Sequence, residues 1–286
     1  MTLHRLYPVI AVIILLPVYL FSLSTTASQR KMLPQDSGTS YILPSPILKI
    51  TALEFDGLAA DFLFLKALTF YGGTLERKER PRIQEQEWRW MYEVLNAATD
   101  LDPYFYDPYY FANSNFTWEA HMVKEANTLL AKGNRYREWD WTIPFFLGFN
   151  EFYFFHDNAK ASEYFMQAAQ RPDAPPIAAS LATRMAYKGN RAEVAILFLQ
   201  ETLNKTKDKT TRKELEIRME VLQGVLALEQ AVEVYKGKHG KLPHGLKELQ
   251  AKGFIAHIPA DPYGGEFYID KDGSVKTTSD LRPMKK

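Results

Sequence analysis

Small and large apolar residues recur along the middle of this chain at a fixed interval. Ala161, Phe165 and Ala168 in "KASEYFMQAAQRP" (160–172) return as Ala195, Leu199 and Thr202 in "EVAILFLQETLN" (193–204), each displaced by 34 residues. Met91, Leu95 and Ala98 stand 70 residues ahead of the first trio, and Ala126, Leu130 and Gly133 occupy the slot between. The 70-residue displacement is two periods of 34 plus two, and a period of this length predicts one supersecondary unit per repeat. Within a helical hairpin the small residues let the second helix approach the first, and the large one fills the gap. No such unit buries its apolar face alone, so neighbours must stack. The expectation is a mainly α array of helical hairpins over residues 47–225.

The period and the small–large–small texture resemble the tetratricopeptide repeat over roughly residues 83–225. Leu147-Gly148 matches the family's Leu-Gly pair one residue out of register, and Leu101-Asp102-Pro103 matches its unit ending. The stretch "KGNRYREWDW" (132–141) interrupts the phase. The resemblance implies a solenoid whose concave side holds a protein or peptide. If Tyr106 opens the second unit, Tyr110, Ser114 and Trp118 fall on that inner side, and Asn150 and Tyr153 take comparable places in the next. Tyr and Trp suit such a surface because they bury a large area at low entropic cost. The competing readings are an irregular helical bundle and plain interhelix packing of these aromatics.

The N-terminus predicts an anchor. "LYPVIAVIILLPVYLFSL", residues 6–23, carries no charge. As helix it would extend ~27 Å, close to the hydrocarbon thickness of a bilayer. The competing reading is a cleaved signal peptide, with small residues at Thr25-Thr26-Ala27, but the run exceeds the usual signal core. A short N-terminal tail ahead of a large body favours a single-pass protein of the cytoplasmic membrane with its body outside the cytoplasm. Residues 24–46, rich in Ser, Thr and Pro, read as a tether. Next, "TALEFDGLAADFLFLKALTFYGG" (51–73) reads as a helix stopped by Gly72-Gly73, so apolar that it must be buried or lie against the membrane. "ERKERPR" (76–82) reads as a solvated connector.

Residues 211–240 read as one or two more helices, with Leu222, Leu226, Ala227 and Val234 at helical spacing and Gly240 as the stop. The tail, residues 226–286, changes texture. Asp261-Pro262-Tyr263-Gly264 is a turn, and Phe267–Ile269 can pair with Ser274–Thr277 across Asp270-Lys271-Asp272-Gly273. Such a hairpin needs the helix carrying Tyr235 to pack on. Ala231, Tyr235, Gly240, Pro243, Leu246, Leu249, Gly253, Pro259 and the Asp261–Gly264 turn together resemble the C-terminal body of the major pseudopilins of type II secretion systems. Those proteins carry a Gly-Phe processing site and a Glu inside the N-terminal apolar run; this chain has neither, so it reads as no filament subunit. The resemblance also raises calcium at Asp270 and Asp272, but two carboxylates fall short of the six to eight oxygens calcium prefers.

Chemistry is thinly represented. With no cysteine, thiolate metal sites, Cys nucleophiles and disulfides are excluded. Lys+Arg (35) and Asp+Glu (34) nearly cancel, which argues against nucleic acid as a partner. No zinc-protease, nucleophile-elbow, phosphate-loop or dinucleotide motif occurs. His121 and Glu125, four apart, read as a helix-surface pair rather than metal ligands. The expectations are therefore no catalytic residue, no metal and no cofactor. The function expected is a membrane-anchored scaffold for a protein or peptide partner, in a secretion, pilus or envelope-assembly setting. The alternatives are a structural component joined through the tail, or an enzyme with dispersed acid and base groups.

Overall fold

The computed structural model describes residues 15–25, 39–76 and 83–282. Among them are twelve helices and one two-stranded sheet. They are α1 (Leu15–Thr25), α2 (Ser45–Ala52), α3 (Asp56–Leu75), α4 (Glu85–Leu101), α5 (Asp107–Trp118) and α6 (Val123–Tyr136). There follow α7 (Thr142–Tyr153), α8 (Asn158–Gln170), α9 (Pro176–Lys188), α10 (Ala192–Lys205), α11 (Lys209–His239), α12 (Leu246–Ala251), β1 (Phe267–Ile269) and β2 (Val275–Thr277). The chain is thus mainly helical with a small antiparallel sheet at its C-terminal end.

Helix starts follow local chemistry. Gln84 and Glu87 form a capping box on α4, while the Asp157 and Asp208 side chains accept backbone N–H groups at the starts of α8 and α11. Pro46, Pro108 and Pro176 sit in first turns, where a missing N–H costs nothing. α4 ends at Leu101, the start of Leu101-Asp102-Pro103, and Gly240 closes α11 in the left-handed region, φ 68°.

From α3 to α11 each helix packs on its successor. The recurring trios lie on alternate helices, namely α4, α6, α8 and α10. Ala161, Phe165, Ala168, Ala195 and Leu199 are at most 1% exposed; Thr202 is half-buried. Two glycines mark close approaches between helices. A Cβ on Gly133 would stand 3.0 Å from Tyr109 and Ile143, and one on Gly148 would stand 3.0 Å from Phe165 and 3.1 Å from the Ala161 carbonyl oxygen.

Arginines tie neighbouring helix ends together. Arg137 donates to the Tyr104 carbonyl. Arg171 donates to the carbonyls of Asp140 (2.6 Å), Arg137 (3.0 Å) and Asn134 (3.0 Å) and to the Asn134 side chain (2.6 Å). Carbonyls in the last turn of a helix have no partner within it, so this guanidinium completes the end of α6.

Several expectations need correction. α3 runs through Gly72-Gly73 to Leu75, because Ala67, Phe70 and Thr74 remain buried along one stripe of it. The break falls earlier, at Leu53, which takes φ 55° between α2 and α3. The tether is shorter than expected, since α2 begins at Ser45. By contrast, residues 211–239 lie on one helix stopped by Gly240 as expected; its buried stripe includes Leu215, Leu222, Val225, Leu228 and Tyr235, while Val234 is 53% exposed and Ala227 is exposed. Of the expected span 6–23, residues 15–23 form most of α1 and the rest lies outside the described residues, as do 26–38 and 77–82 of the tether and connector.

The tail folds as the turns dictate. Gly264 N–H donates to the Asp261 carbonyl (2.8 Å), with Gly264 at φ 84°. β1 and β2 pair Phe267 with Thr277 and Ile269 with Val275. The hairpin packs on α11, and the Tyr187 hydroxyl of α9 accepts from the Thr277 N–H (2.7 Å). One apolar core runs from Ala161 to Leu281, so α11 carries it without interruption across the expected 225/226 boundary. A second core is drawn from α3 to α7.

Candidate protein-binding surface

Helical spacing brings three of the five expected groove residues together. Tyr110, Ser114 and Trp118 follow one another at four-residue steps on α5, so they share a side that drifts slowly round the axis. Tyr110 and Trp118 are 50% and 51% exposed, and Ser114 is half-buried between them. α7 lies alongside, with Phe146, Phe149 and Tyr153 on the facing stripe. The Trp118 ring centroid is 5.2 Å from that of Tyr153, itself 48% exposed, and 5.1 Å from that of Phe154. Phe149 stacks on Tyr153 at 5.5 Å, and Tyr110 meets Phe146 at 6.0 Å and Tyr106 at 5.9 Å. Offset and edge-on contacts of this kind hold each ring without covering it.

The strip continues past Tyr106. The Arg137 guanidinium lies 5.2 Å from the Tyr106 ring and 5.3 Å from that of Trp139, and Trp139 stacks on Tyr104 at 5.9 Å. Burial pushes the Tyr106 hydroxyl pKa up from its ordinary value, so at neutral pH it is a neutral donor and acceptor. The surface thus offers flat apolar faces, phenolic hydroxyls and one cation.

Asn150 lies elsewhere. It is 1% exposed and turned into the seam between helices, where its amide donates to Asn113 Oδ1 on α5 (2.9 Å) and Asn127 Oδ1 on α6 (2.8 Å). The Asn127 amide donates to Glu151 Oε1 (3.3 Å), and Lys160 on α8 pairs with the same oxygen (2.7 Å). The hydrogen bond that Lys160 donates to Glu151 is the main reason its pKa is raised. This polar ladder stitches four helices. It borders a cleft of about 450 Å³ lined by Asn127, Arg135, Glu151 and Lys160 among others. Nothing in the periodicity marked it, since its members come from four different helices and are not set apart there from other polar residues.

The remaining expectations resolve locally. His121 sits in the α5–α6 loop at φ 56°, so it shares no helix face with Glu125, and Glu119 accepts from the Tyr71 hydroxyl (2.8 Å). Asp272 accepts from the Ser274 N–H (2.9 Å) and hydroxyl (2.6 Å), and Asp270 from the Lys271 N–H (2.7 Å). Among the described residues no three His, Asp or Glu side chains group to hold a metal. A wider cleft of about 920 Å³ opens between residues 244–248 and 258–269. The antiparallel register leaves the N–H groups of Phe267 and Ile269 on the outer edge of β1. Compared with known proteins, the chain matches no family model, no curated protein and no solved structure.

Proposed function

We propose that this chain is a membrane-anchored scaffold of tetratricopeptide-like hairpins that holds a protein or peptide partner outside the cytoplasm. Two observations support the repeat reading. The recurring trios sit on alternate helices at offsets of 34 or 35 residues. Side-chain hydrogen bonds also join units at similar separations: Asn134 to Gln167, 33 apart; Thr142 to Tyr106, 36 apart; Asn150 to Asn113, 37 apart. The uncharged run 6–23 supports the anchor, and the tail's turns and hairpin support a pseudopilin-like cap and with it a secretion, pilus or envelope-assembly setting.

The observation that carries the binding role is the exposed trio of Tyr110, Trp118 and Tyr153 on neighbouring helices, with Trp118 against Tyr153 and Tyr110 against Phe146. Rings already held by their neighbours lose little freedom when a partner covers them. Photocrosslinking of the full chain in its own membranes tests this. Trp118→Ala with Tyr153→Ala should lower the yield of a discrete adduct at least ~10-fold, as loss of hot-spot residues does. Ile177→Ala, also exposed, should leave it unchanged. Equal adducts in all three proteins would refute the aromatic surface.

The unpaired edge of β1 favours a second reading, in which the tail joins an assembly by accepting a strand. Ile269→Pro would remove an outward N–H while sparing the partners of β2. Loss of the adduct in that variant alone would transfer the role to the tail.

A further inference from the structure

Exposed apolar side chains are distributed very unevenly. Ten exposed aliphatic or Phe side chains fall within residues 39–76, against four within residues 83–282. Surface hydrophobes scattered singly need no explanation, but a concentration of this kind does. Its centre is α3. One stripe of that helix, Ala60, Leu63, Ala67, Phe70 and Thr74, is buried, with α4 as its main partner. Leu58, Phe62 and Leu65 occupy another stripe at steps of four and three residues and are 67%, 68% and 58% exposed. Ile50, Leu53 and Phe55, just ahead of α3, are 65–75% exposed.

We infer that this uncovered face of α2 and α3 lies in the headgroup–acyl boundary of a bilayer, giving the body a second, in-plane contact with lipid. α3 is the one described helix long and apolar enough to cross a membrane, yet its packing on α4 makes it lie along a surface instead. Three features select lipid as the occupant. The face belongs to the first described elements after α1, and the chain from Thr25 to Ser45 reaches at most ~70 Å. Arg77, Lys78, Arg80 and Arg82 follow α3 directly, outnumbering Glu76 and Glu79, and suit phosphate headgroups. Asp61, about 60° round the helix from Leu58, sets the depth: a carboxylate stays at headgroup level while Leu58, Phe62 and Leu65 enter.

The absence of cysteine makes the test clean, because any introduced thiol is a unique label site. Full-length Phe62→Cys, Leu65→Cys and Ile177→Cys proteins, each carrying a nitroxide, are reconstituted into phosphatidylethanolamine–phosphatidylglycerol vesicles and isolated by flotation. Labels at 62 and 65 should collide readily with oxygen and several-fold less with a water-soluble nickel chelate than the label at 177. Chelate access at 62 equal to that at 177 would overturn the inference and leave membrane anchoring intact. Exclusion of both oxygen and chelate would also overturn it, assigning the face to α1 or to a second copy of the chain. Failure to float would overturn this inference and the anchored scaffold together.

Discussion

α3 and α11 are the two longest described helices, and they dispose of their apolar residues in opposite ways. α11 spreads Leu215, Leu222, Val225, Leu228 and Tyr235 along one stripe, and α10, α9, α12 and the hairpin cover all of them. α3 is apolar nearly all round but packs mainly on α4, so Leu58, Phe62 and Leu65 remain open. Burial is therefore set by the number of partners a helix finds, and apolar residues in excess of those partners mark what else it must meet.

The largest effect should separate the two helices directly. Leu222→Ala in α11, where the side chain is fully buried, should cost about 2–5 kcal/mol in urea unfolding of the detergent-solubilised chain. Phe62→Ser in α3 should change stability by under ~0.5 kcal/mol. Equal losses would mean that α3 is packed on both sides.

Two glycines sharpen the contrast. A Cβ on Gly265, beside the hairpin that α11 supports, would stand 2.6 Å from Ser279 N and 2.7 Å from Asp261 Oδ2. Gly265→Ala should accordingly cost roughly 1–3 kcal/mol by the same measurement. Gly72 in α3 has nothing within 4 Å of its would-be Cβ, so Gly72→Ala should stabilise by about 0.5–1 kcal/mol through helix propensity.

The smallest effect is a local pH dependence at the foot of α11. Glu248 accepts from the Tyr235 hydroxyl (2.5 Å) and the His244 N–H (2.8 Å) and pairs with Lys252 (2.9 Å). The Tyr235 hydrogen bond, then that from His244, hold its carboxyl down to about 2 from an ordinary 4.5. A depressed carboxyl pKa stabilises the fold above the ordinary value and loses that contribution as pH falls from about 4.5 towards about 2. Hydrogen-exchange protection at residues 246–254, taken relative to the unstructured-chain rate at each pH, should fall across that window, and Glu248→Gln should abolish the dependence. Unchanged protection in the parent protein would show that these bonds do not hold the tail.

Much of this arrangement could be read from residue order. The trios at offsets of 34 or 35 residues fell on alternate helices, because Ala161, Phe165 and most of their counterparts are buried against a neighbouring helix. The tail's turns were legible because Pro262, Gly264 and Gly273 restrict or free φ where the chain reverses. Gly72-Gly73 misled because a glycine pair ends a helix only when packing stops supporting it, and Phe70 and Thr74 continue to be buried. Asn150 was misplaced by one position's rotation: about 100° from Phe149, it turns away from the aromatic strip and into the α5–α6 seam. The ladder it joins was invisible, since hydrogen bonds between residues 23 and 37 apart depend on how helices settle against one another.

The arginine ties bear on the order in which the molecule can be completed. Arg171 serves carbonyls at Asn134, Arg137 and Asp140, and Arg137 serves the one at Tyr104, so at both places the donor is made later than the carbonyls it serves. A nascent chain that has emerged as far as Tyr136 possesses all of α6 but lacks the guanidinium that seals its lower end. Growth on the ribosome thus leaves the end of α6 incomplete until Arg171, just past α8, has been made. Shortening the array from the carboxyl side would strand oxygen atoms that no remaining side chain is placed to reach.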